Sequence, residues 1–263
     1  MQDLNIALIQ TNPIWHDPQG NLDLFGSLIE PLPKVDLIVL PEMFTTGFTM
    51  ETKQMSEKPG GPTFEWMVKT SKETGAVIVG SYILNDHGKY FNHLVWARPN
   101  GQTGSYNKRH LFRMANEDQY FSSGYQKTVF EIKGWQILPL ICYDLRFPVW
   151  SRNSHEGDEL SYDLLLYVAN WPQPRIEAWN ALLKARAIEN LCFTVGVNRI
   201  GNDNNGIRYN GHSGIYGPKG ESVLFMEEKN MAGICTIESD YLKNYRSHFP
   251  AFLDADSFEI KDS

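Results

Sequence analysis

The sequence has no apolar run approaching the ~20 residues that a membrane-spanning helix needs. It has only three cysteines, Cys142, Cys192 and Cys235, an odd count without framework spacing. That argues against a disulfide-stapled secreted scaffold and suits a reducing cytoplasm. Cysteines and scattered histidines form no metal-ligand spacing, so no metal is expected. Lys and Arg total 24 against 31 Asp and Glu, a net charge of -7, and no basic cluster marks a phosphate-tracking groove. A nucleic-acid partner is therefore not expected. The glycines of 201–206 lack the spacing and strand–helix context of a phosphate loop. No repeat, low-complexity tract or Ser/Gly/Pro-rich linker interrupts the pattern. The first residues carry no basic segment ahead of an apolar one, so they read as a strand and not as a signal peptide.

What is present is a long chain with enough apolar residues for a large core: 263 residues, 42% hydrophobic. The reading is one domain over 1–263. Strands are expected over 4–10, 35–40, 76–84, 91–97, 101–106, 129–132, 136–141, 164–168, 193–198, 213–216, 222–227 and 232–238. Several are nearly continuous apolar runs, as when both sheet faces are covered. Helices are expected from Asn21 as a cap through Ile29, over 62–73 with Gly75 closing it, near Pro148, and over 175–190. Asp86-His87-Gly88 reads as a hairpin turn and 201–206 as a loop. Tyr241, Tyr245, Phe249 and Phe252 in the tail need a surface to pack on. Hairpins among alternating strands and helices exclude a simple doubly wound parallel sheet. The class is α/β, with a pair of mixed sheets covered by helices.

Three expected strand ends carry reactive groups: Glu42, Lys108 and Cys142. If those ends meet, a base, a cation and a nucleophile share one place. Each also has an ordinary reading. A lone cysteine at a strand end usually only packs. Glu42 and Glu117 could be loop carboxylates, and Lys108 beside Arg109 a solvated pair. A Cys/His pair could draw on His16, His110 or His212, but the sequence around Cys142 does not match that chemistry. A phosphatase loop wants arginine six residues after its cysteine, and that position is Pro148. Arg146 reads as a group that orients a neighbouring carboxylate.

The blocks around these residues are specific. They are Leu40-Pro41-Glu42-Met43-Phe44, Tyr106-Asn107-Lys108-Arg109-His110-Leu111-Phe112 and Ile141-Cys142-Tyr143-Asp144-Leu145-Arg146-Phe147-Pro148. Ala169-Asn170-Trp171-Pro172, Lys184-Ala185-Arg186-Ala187-Ile188-Glu189-Asn190 and Gly211-His212-Ser213-Gly214-Ile215 extend the match over nearly the whole chain. In this order they resemble the nitrilase (carbon–nitrogen hydrolase) superfamily, and are similar to its omega-amidase branch. The Asn190-Leu191 pair departs from a common Asn-Gln ending.

The resemblance implies a four-layer α-β-β-α sandwich that commonly pairs as a homodimer. It implies hydrolysis of a small dicarboxylate monoamide, such as alpha-ketoglutaramate or alpha-ketosuccinamate, without a cofactor and through a thioester on Cys142. Glu42 would be the base, Lys108 with the Tyr143 backbone N–H would stabilise the oxyanion, and Glu117 would position Lys108 or the substrate. Phe44, Tyr143 and Trp171 would wall the pocket, and Arg175 or Arg113 would receive the remote carboxylate. An N-carbamoyl amino acid or another short amide is the alternative substrate; a binding or scaffold protein with a silent site is the alternative class.

Overall fold

The first strand divides its side chains between two interiors. In the computed structural model, which describes residues 1–157 and 159–260, β1 (Leu4–Gln10) sends Leu4, Ile6 and Leu8 to one side and Ala7 and Ile9 to the other. Every strand that repeats this alternation must be covered on both faces. In chain order β1 is followed by α1 (Pro18–Ile29), β2 (Leu37–Val39), α2 (Thr52–Met55), α3 (Pro62–Thr74), β3 (Val77–Asp86), β4 (Lys89–Ala97), β5 (Thr103–Asn107) and α4 (Glu117–Tyr120). Then come β6 (Phe130–Ile132), β7 (Trp135–Ile141), α5 (Pro148–Ser151), β8 (His155–Glu156), β9 (Glu159–Leu160), β10 (Leu164–Ala169), α6 (Ile176–Glu189) and β11 (Phe193–Asn198). The hairpin β12 (Ile200–Asn202) and β13 (Arg208–Asn210), then β14 (Gly214–Tyr216), β15 (Ser222–Phe225), β16 (Met231–Ile237) and α7 (Ser239–His248) complete the order.

Two six-stranded sheets result, ordered β16-β1-β2-β3-β4-β5 and β15-β14-β11-β10-β7-β6. Each has three parallel strands at its middle and antiparallel strands outside them. Phe25 and Ile29 of α1 and Met67 of α3 cover the outer face of the first sheet, against Ala7, Ile9, Ile38 and Ile78. Trp179, Leu183 and Ala187 of α6 belong to the interior that the second sheet builds. Between the sheets Trp96 stacks on Phe130, with ring centroids 5.0 Å apart. The layers are helix, sheet, sheet, helix, the α-β-β-α sandwich. Among the described residues no helix is long and apolar enough to cross a membrane.

Local chemistry explains most boundaries. Gly75 closes α3 with φ 72°. His87 and Gly88, both with positive φ, turn β3 into β4 in the two-residue loop expected at that site. Helix α1 starts earlier than expected: Asp17 is its cap and accepts the Gly20 N–H at 3.0 Å, while Pro18 takes the first helical position. Asn21 is instead buried, and its side-chain amide donates to the Ile14 and Thr45 carbonyls at 2.7 Å each. Of the expected loop 201–206, Gly201 and Asn202 are paired in β12 and only 203–206 lie in the turn of the β12–β13 hairpin. The tail contains a helix, α7, and not only an aromatic strap: Tyr241 packs on the core and Phe252 is buried, but Phe249 is exposed.

The sheets approach closely at Gly104. A Cβ there would lie 2.1 Å from a ring carbon of Phe130. Gly104→Ala should therefore destabilise the protein by about 1–3 kcal/mol, the usual cost of overpacking. Urea unfolding would show this as a lower midpoint at unchanged slope; an unchanged midpoint would mean that the ring moves aside freely.

Candidate active site

Glu42 stands just beyond β2, Lys108 directly after β5, and Cys142 directly after β7, so both sheets deliver groups to one place. The turns at Glu42, Cys142 and Glu117 are each bent by an unusual residue at or beside the functional one. Met43 has φ 43°, Cys142 itself 44°, and Asn116, next to Glu117, 58°. Left-handed backbone is uncommon for such side chains and persists only where surroundings over-determine it. At Glu42 the surroundings are Ser81 of β3, whose hydroxyl and carbonyl accept the N–H groups of Met43 and Phe44 at 2.9 and 3.1 Å.

The elbow at Cys142 is held by Asp144. One carboxylate oxygen accepts the Ile141 N–H at 3.0 Å and the Tyr106 hydroxyl at 2.7 Å. The other accepts the His110 N–H at 3.0 Å and contacts its ring Nδ1 at 2.8 Å. One buried side chain thus ties the strand before the thiol to the loop on either side of Lys108. Arg186 of α6 donates to the Leu145 carbonyl at 2.6 Å, which explains a buried arginine on an otherwise apolar helix face.

Glu42, Lys108 and Glu117 form a fully buried ionic group. Lys108 Nζ lies 2.9 Å from Glu42 Oε1 and 3.0 and 2.9 Å from the two oxygens of Glu117. Glu42 Oε1 also accepts from Asn92 Nδ2 at 2.7 Å, and its Oε2 from the Asn170 N–H at 2.7 Å. Glu117 Oε2 accepts the Phe112 N–H at 2.6 Å. Cys142 Sγ lies 3.9 Å from the Asn170 carbonyl and is nearly buried. Burial pulls the Lys108 ammonium down, but Glu117 and Glu42 together hold it above an ordinary lysine. Burial pushes the Glu117 carboxyl up, against the pull of Lys108 and with the repulsion of Glu42. Burial and the Glu42 charge push the Cys142 thiol well up, and Lys108 opposes them. At rest Cys142 is therefore held as a thiol beside Glu42, Lys108 and Glu117.

Cys142 and Lys108 open onto a cavity of about 410 Å³. Tyr143, Trp171 and Arg175 line it, as expected from the sequence. Phe44 does not: the left-handed Met43 turns it into the outer core, where its ring meets Phe25 and Trp66 at 5.2 and 5.8 Å. Arg113 does not either; it is exposed and pairs with Asp118 at 2.6 Å. Arg146 is a cavity residue whose guanidinium lies 5.0 Å from the Trp171 ring centre, so it orients no carboxylate. Arg175 likewise sits 5.0 Å from the Phe112 ring centre. Neither arginine pairs with a carboxylate among the described residues. Phe48 and Tyr209 also line the cavity and were not anticipated. Nor was Asn92, although a signal existed: it shares its face of β4 with Leu94 and Trp96, so a polar residue points inward. His16 lines the cavity but its Nε2 contacts Thr49 Oγ1 at 2.9 Å, His110 contacts Asp144 and His212 contacts Asn180, so among the described residues none of the three is hydrogen-bonded to Cys142. Among the described residues no His/Cys/Asp/Glu group could hold a metal.

A family profile described as carbon-nitrogen hydrolase matches residues 5–247. The chain belongs to the carbon–nitrogen hydrolase family. Among curated members it is 42% identical to omega-amidase YafV of Escherichia coli (strain K12), covering 99% of this chain and 100% of that one. It is 32% identical to 2-oxoglutaramate amidase of Bacillus subtilis (strain 168), covering 95% and 96%. Among solved structures it matches XC1258 from Xanthomonas campestris, a CN-hydrolase superfamily protein with an arsenic adduct in the active site. That match has a TM-score of 0.97 and 44% identity, and covers 99% of this chain and 100% of that one.

In this carbon–nitrogen hydrolase, Glu42→Gln should speed alkylation of Cys142. Removing the negative charge lowers the thiol's pKa, so more thiolate is present at a given pH. Peptide mass spectrometry after iodoacetamide treatment at about pH 8 separates Cys142 from Cys192 and Cys235. Equal labelling of Cys142 in the variant would show that Glu42 does not control the thiol, and slower labelling would show that its action as a base outweighs its charge.

Proposed function

We propose that this chain is an omega-amidase, which hydrolyses small dicarboxylate monoamides such as alpha-ketoglutaramate (2-oxoglutaramate) to the diacid and ammonia. One observation carries the reading. The cavity that holds the thiol and its ionic cluster also holds Arg146 and Arg175, two cations seated on aromatic rings and not on carboxylates. They are free to receive a substrate carboxylate while the amide lies at Cys142. The similarity to omega-amidase YafV and to 2-oxoglutaramate amidase supports the same substrate class.

The chemistry derives from the groups. An amide carbonyl is a poor electrophile with a poor leaving group. Glu42 takes the thiol proton as Cys142 Sγ attacks the carbonyl carbon. The resulting oxyanion is stabilised by Lys108 and by the Tyr143 N–H, which has no intrahelical acceptor in the first turn after Cys142. Glu42 then gives its proton to the departing nitrogen, and ammonia leaves a thioester. Water loses a proton to Glu42, attacks the thioester, and releases the acid; the proton returns to sulfur. Glu117 holds Lys108 in place throughout. Tyr143 and Trp171 wall the substrate. We read residues 1–263 as one hydrolase domain, in the cytoplasm, where three unpaired cysteines remain thiols. The resemblance to the superfamily further supports a homodimer, so sedimentation should give twice the 30.1 kDa chain mass; a monomer would remove that part of the reading.

The deciding experiment measures ammonia release from alpha-ketoglutaramate, glutamine, a short aliphatic amide and an N-carbamoyl amino acid, with wild type and Cys142→Ala. Preferential, Cys142-dependent turnover of the keto-acid amide is expected. Preference for the carbamoyl compound would move the assignment to that substrate. Turnover that survives Cys142→Ala would end the thioester mechanism, and no turnover at all would favour a scaffold with a silent site.

Arg175→Ala and Arg146→Ala should each raise KM for the keto-acid amide by about tenfold to a hundredfold, the worth of a charge-assisted hydrogen bond. Activity on an uncharged short amide should persist. Unchanged KM in both variants would sink the arginine clamp.

A further inference from the structure

Asn92 contacts all three members of the ionic cluster and does not itself line the cavity. Its Nδ2 is 2.7 Å from Glu42 Oε1 and 3.5 Å from Glu117 Oε1, and its backbone carbonyl accepts the Lys108 N–H at 3.0 Å. The side chain is wholly buried and is absent from the cavity lining. Its orientation is fixed by chemistry: ionised carboxylate oxygens only accept, so the NH2 end must face them. The other end, Oδ1, is then left without a hydrogen-bond partner. An unpaired buried acceptor is unfavourable, so stability alone does not account for an amide at this position.

The charges around Glu42 do account for it. Facing the carboxylate are the Lys108 ammonium, the Glu117 carboxylate, the Cys142 thiol, the Asn170 N–H and, further off, the Tyr209 phenol. Two carboxylates share one ammonium. A primary amide supplies two N–H donors with no charge. A second cation would weaken Glu42 as a base, and a third carboxylate would force one of them to hold a proton. An apolar isostere would strip a donor from the ionised form. Among these choices only the amide keeps both carboxylates charged and basic.

We propose that Asn92 is a positioning residue for the hydrolysis: it aims the Glu42 carboxylate at the thiol and couples it to Glu117 through one amide group. It touches neither substrate nor thiol. This rests on Glu42 being the general base of the omega-amidase reaction proposed above.

The test compares wild type, Asn92→Leu, Asn92→Ser and Glu42→Gln, with thermal melting as a check on folding. Rates are measured on whichever amide of the panel the wild type turns over best, from about pH 5 to 9, where general acid–base groups show their limbs. Asn92→Leu should lower kcat about tenfold to a hundredfold and leave KM within about twofold, since binding of the substrate is untouched. The acidic limb of kcat/KM should move to higher pH, because losing a donor to the ionised carboxylate disfavours ionisation. Asn92→Ser keeps one small donor and should fall between; if Asn92→Leu does not fold, this variant decides. A kcat within about threefold of wild type with an unmoved limb overturns the proposal, as does a rise in KM alone. Wild-type activity in Glu42→Gln would overturn the base assignment, and this inference with it. Loss of activity there, beside unaffected Asn92 variants, would sink the Asn92 role alone.

Discussion

The site depends on one ammonium held between two carboxylates and buried from bulk solvent. Burying three charges is costly, and the attraction among them offsets that cost only when geometry and hydrogen bonding are complete. Here they are nearly complete. Lys108 has three protons and three carboxylate oxygens within 3.0 Å. Glu42 Oε2, the one oxygen not on Lys108, accepts the Asn170 N–H, and Glu42 Oε1 and Glu117 Oε2 accept a second bond each, from Asn92 and from the Phe112 N–H. Removing Lys108 would leave two buried carboxylates without a counter-charge, which explains why three distant stretches of chain are fixed so closely around it. It also bears on chemistry. All three lysine protons are engaged at rest, so a developing oxyanion must compete for one of them. The two-oxygen contact with Glu117 is the bond that can loosen without stranding either ion.

The fold makes that meeting possible by repeating one device in each sheet. Parallel strands end on the same side, and the loops beyond them cluster there. β2 sends Glu42 from the first sheet and β7 sends Cys142 from the second. β5, two antiparallel steps from β3, runs in the same direction as β2 and sends Lys108 from that side. Left-handed residues then redirect the chain within one step of Glu42 and at Cys142 itself. Strain at the elbow is tolerable because Asp144 receives bonds from both the strand before it and the lysine loop. The thiol and the ammonium are thus referenced to the same carboxylate.

Much of this was legible in the sequence because buried strands announce themselves as apolar runs, and the residue at the end of such a run is placed at a sheet edge by geometry. Glu42, Lys108 and Cys142 could be picked out on that ground alone, before any resemblance. The paths of the loops beyond those residues were not legible. Phe44 lies two residues from Glu42 in sequence, but the φ of Met43 decides which interior it enters, and nothing local specifies that angle. Arg113 was as plausible a clamp as Arg175 until its pairing with Asp118 placed it on the surface. In the sequence Arg146 reads as orienting a neighbouring carboxylate; only the packing shows Trp171 beneath it. Helix α7 was missed because its stretch is polar overall, and Leu242 is its one fully buried apolar side chain.

The setting of the two arginines has a chemical consequence under the omega-amidase reading. An arginine paired with a carboxylate has its charge neutralised before substrate arrives. One laid over an aromatic face keeps its charge and its outward donors, while the ring holds the guanidinium plane in place. The cavity's two carboxylates do not compensate them. Asp203 is occupied by the N–H groups of Asn205 and Ile207 and by the Tyr209 hydroxyl, and Glu51 is exposed at the rim. A keto acid brings only negative charge to this wall. Glutamine brings the same carboxylate with an ammonium on the adjacent carbon, which would lie against two cations, while the cavity's unengaged acid, Glu51, sits out at the solvent-exposed rim. Selection of the keto-acid amide over the amino acid would then come from repulsion as much as from attraction, and would weaken as salt screens the outer part of the cavity.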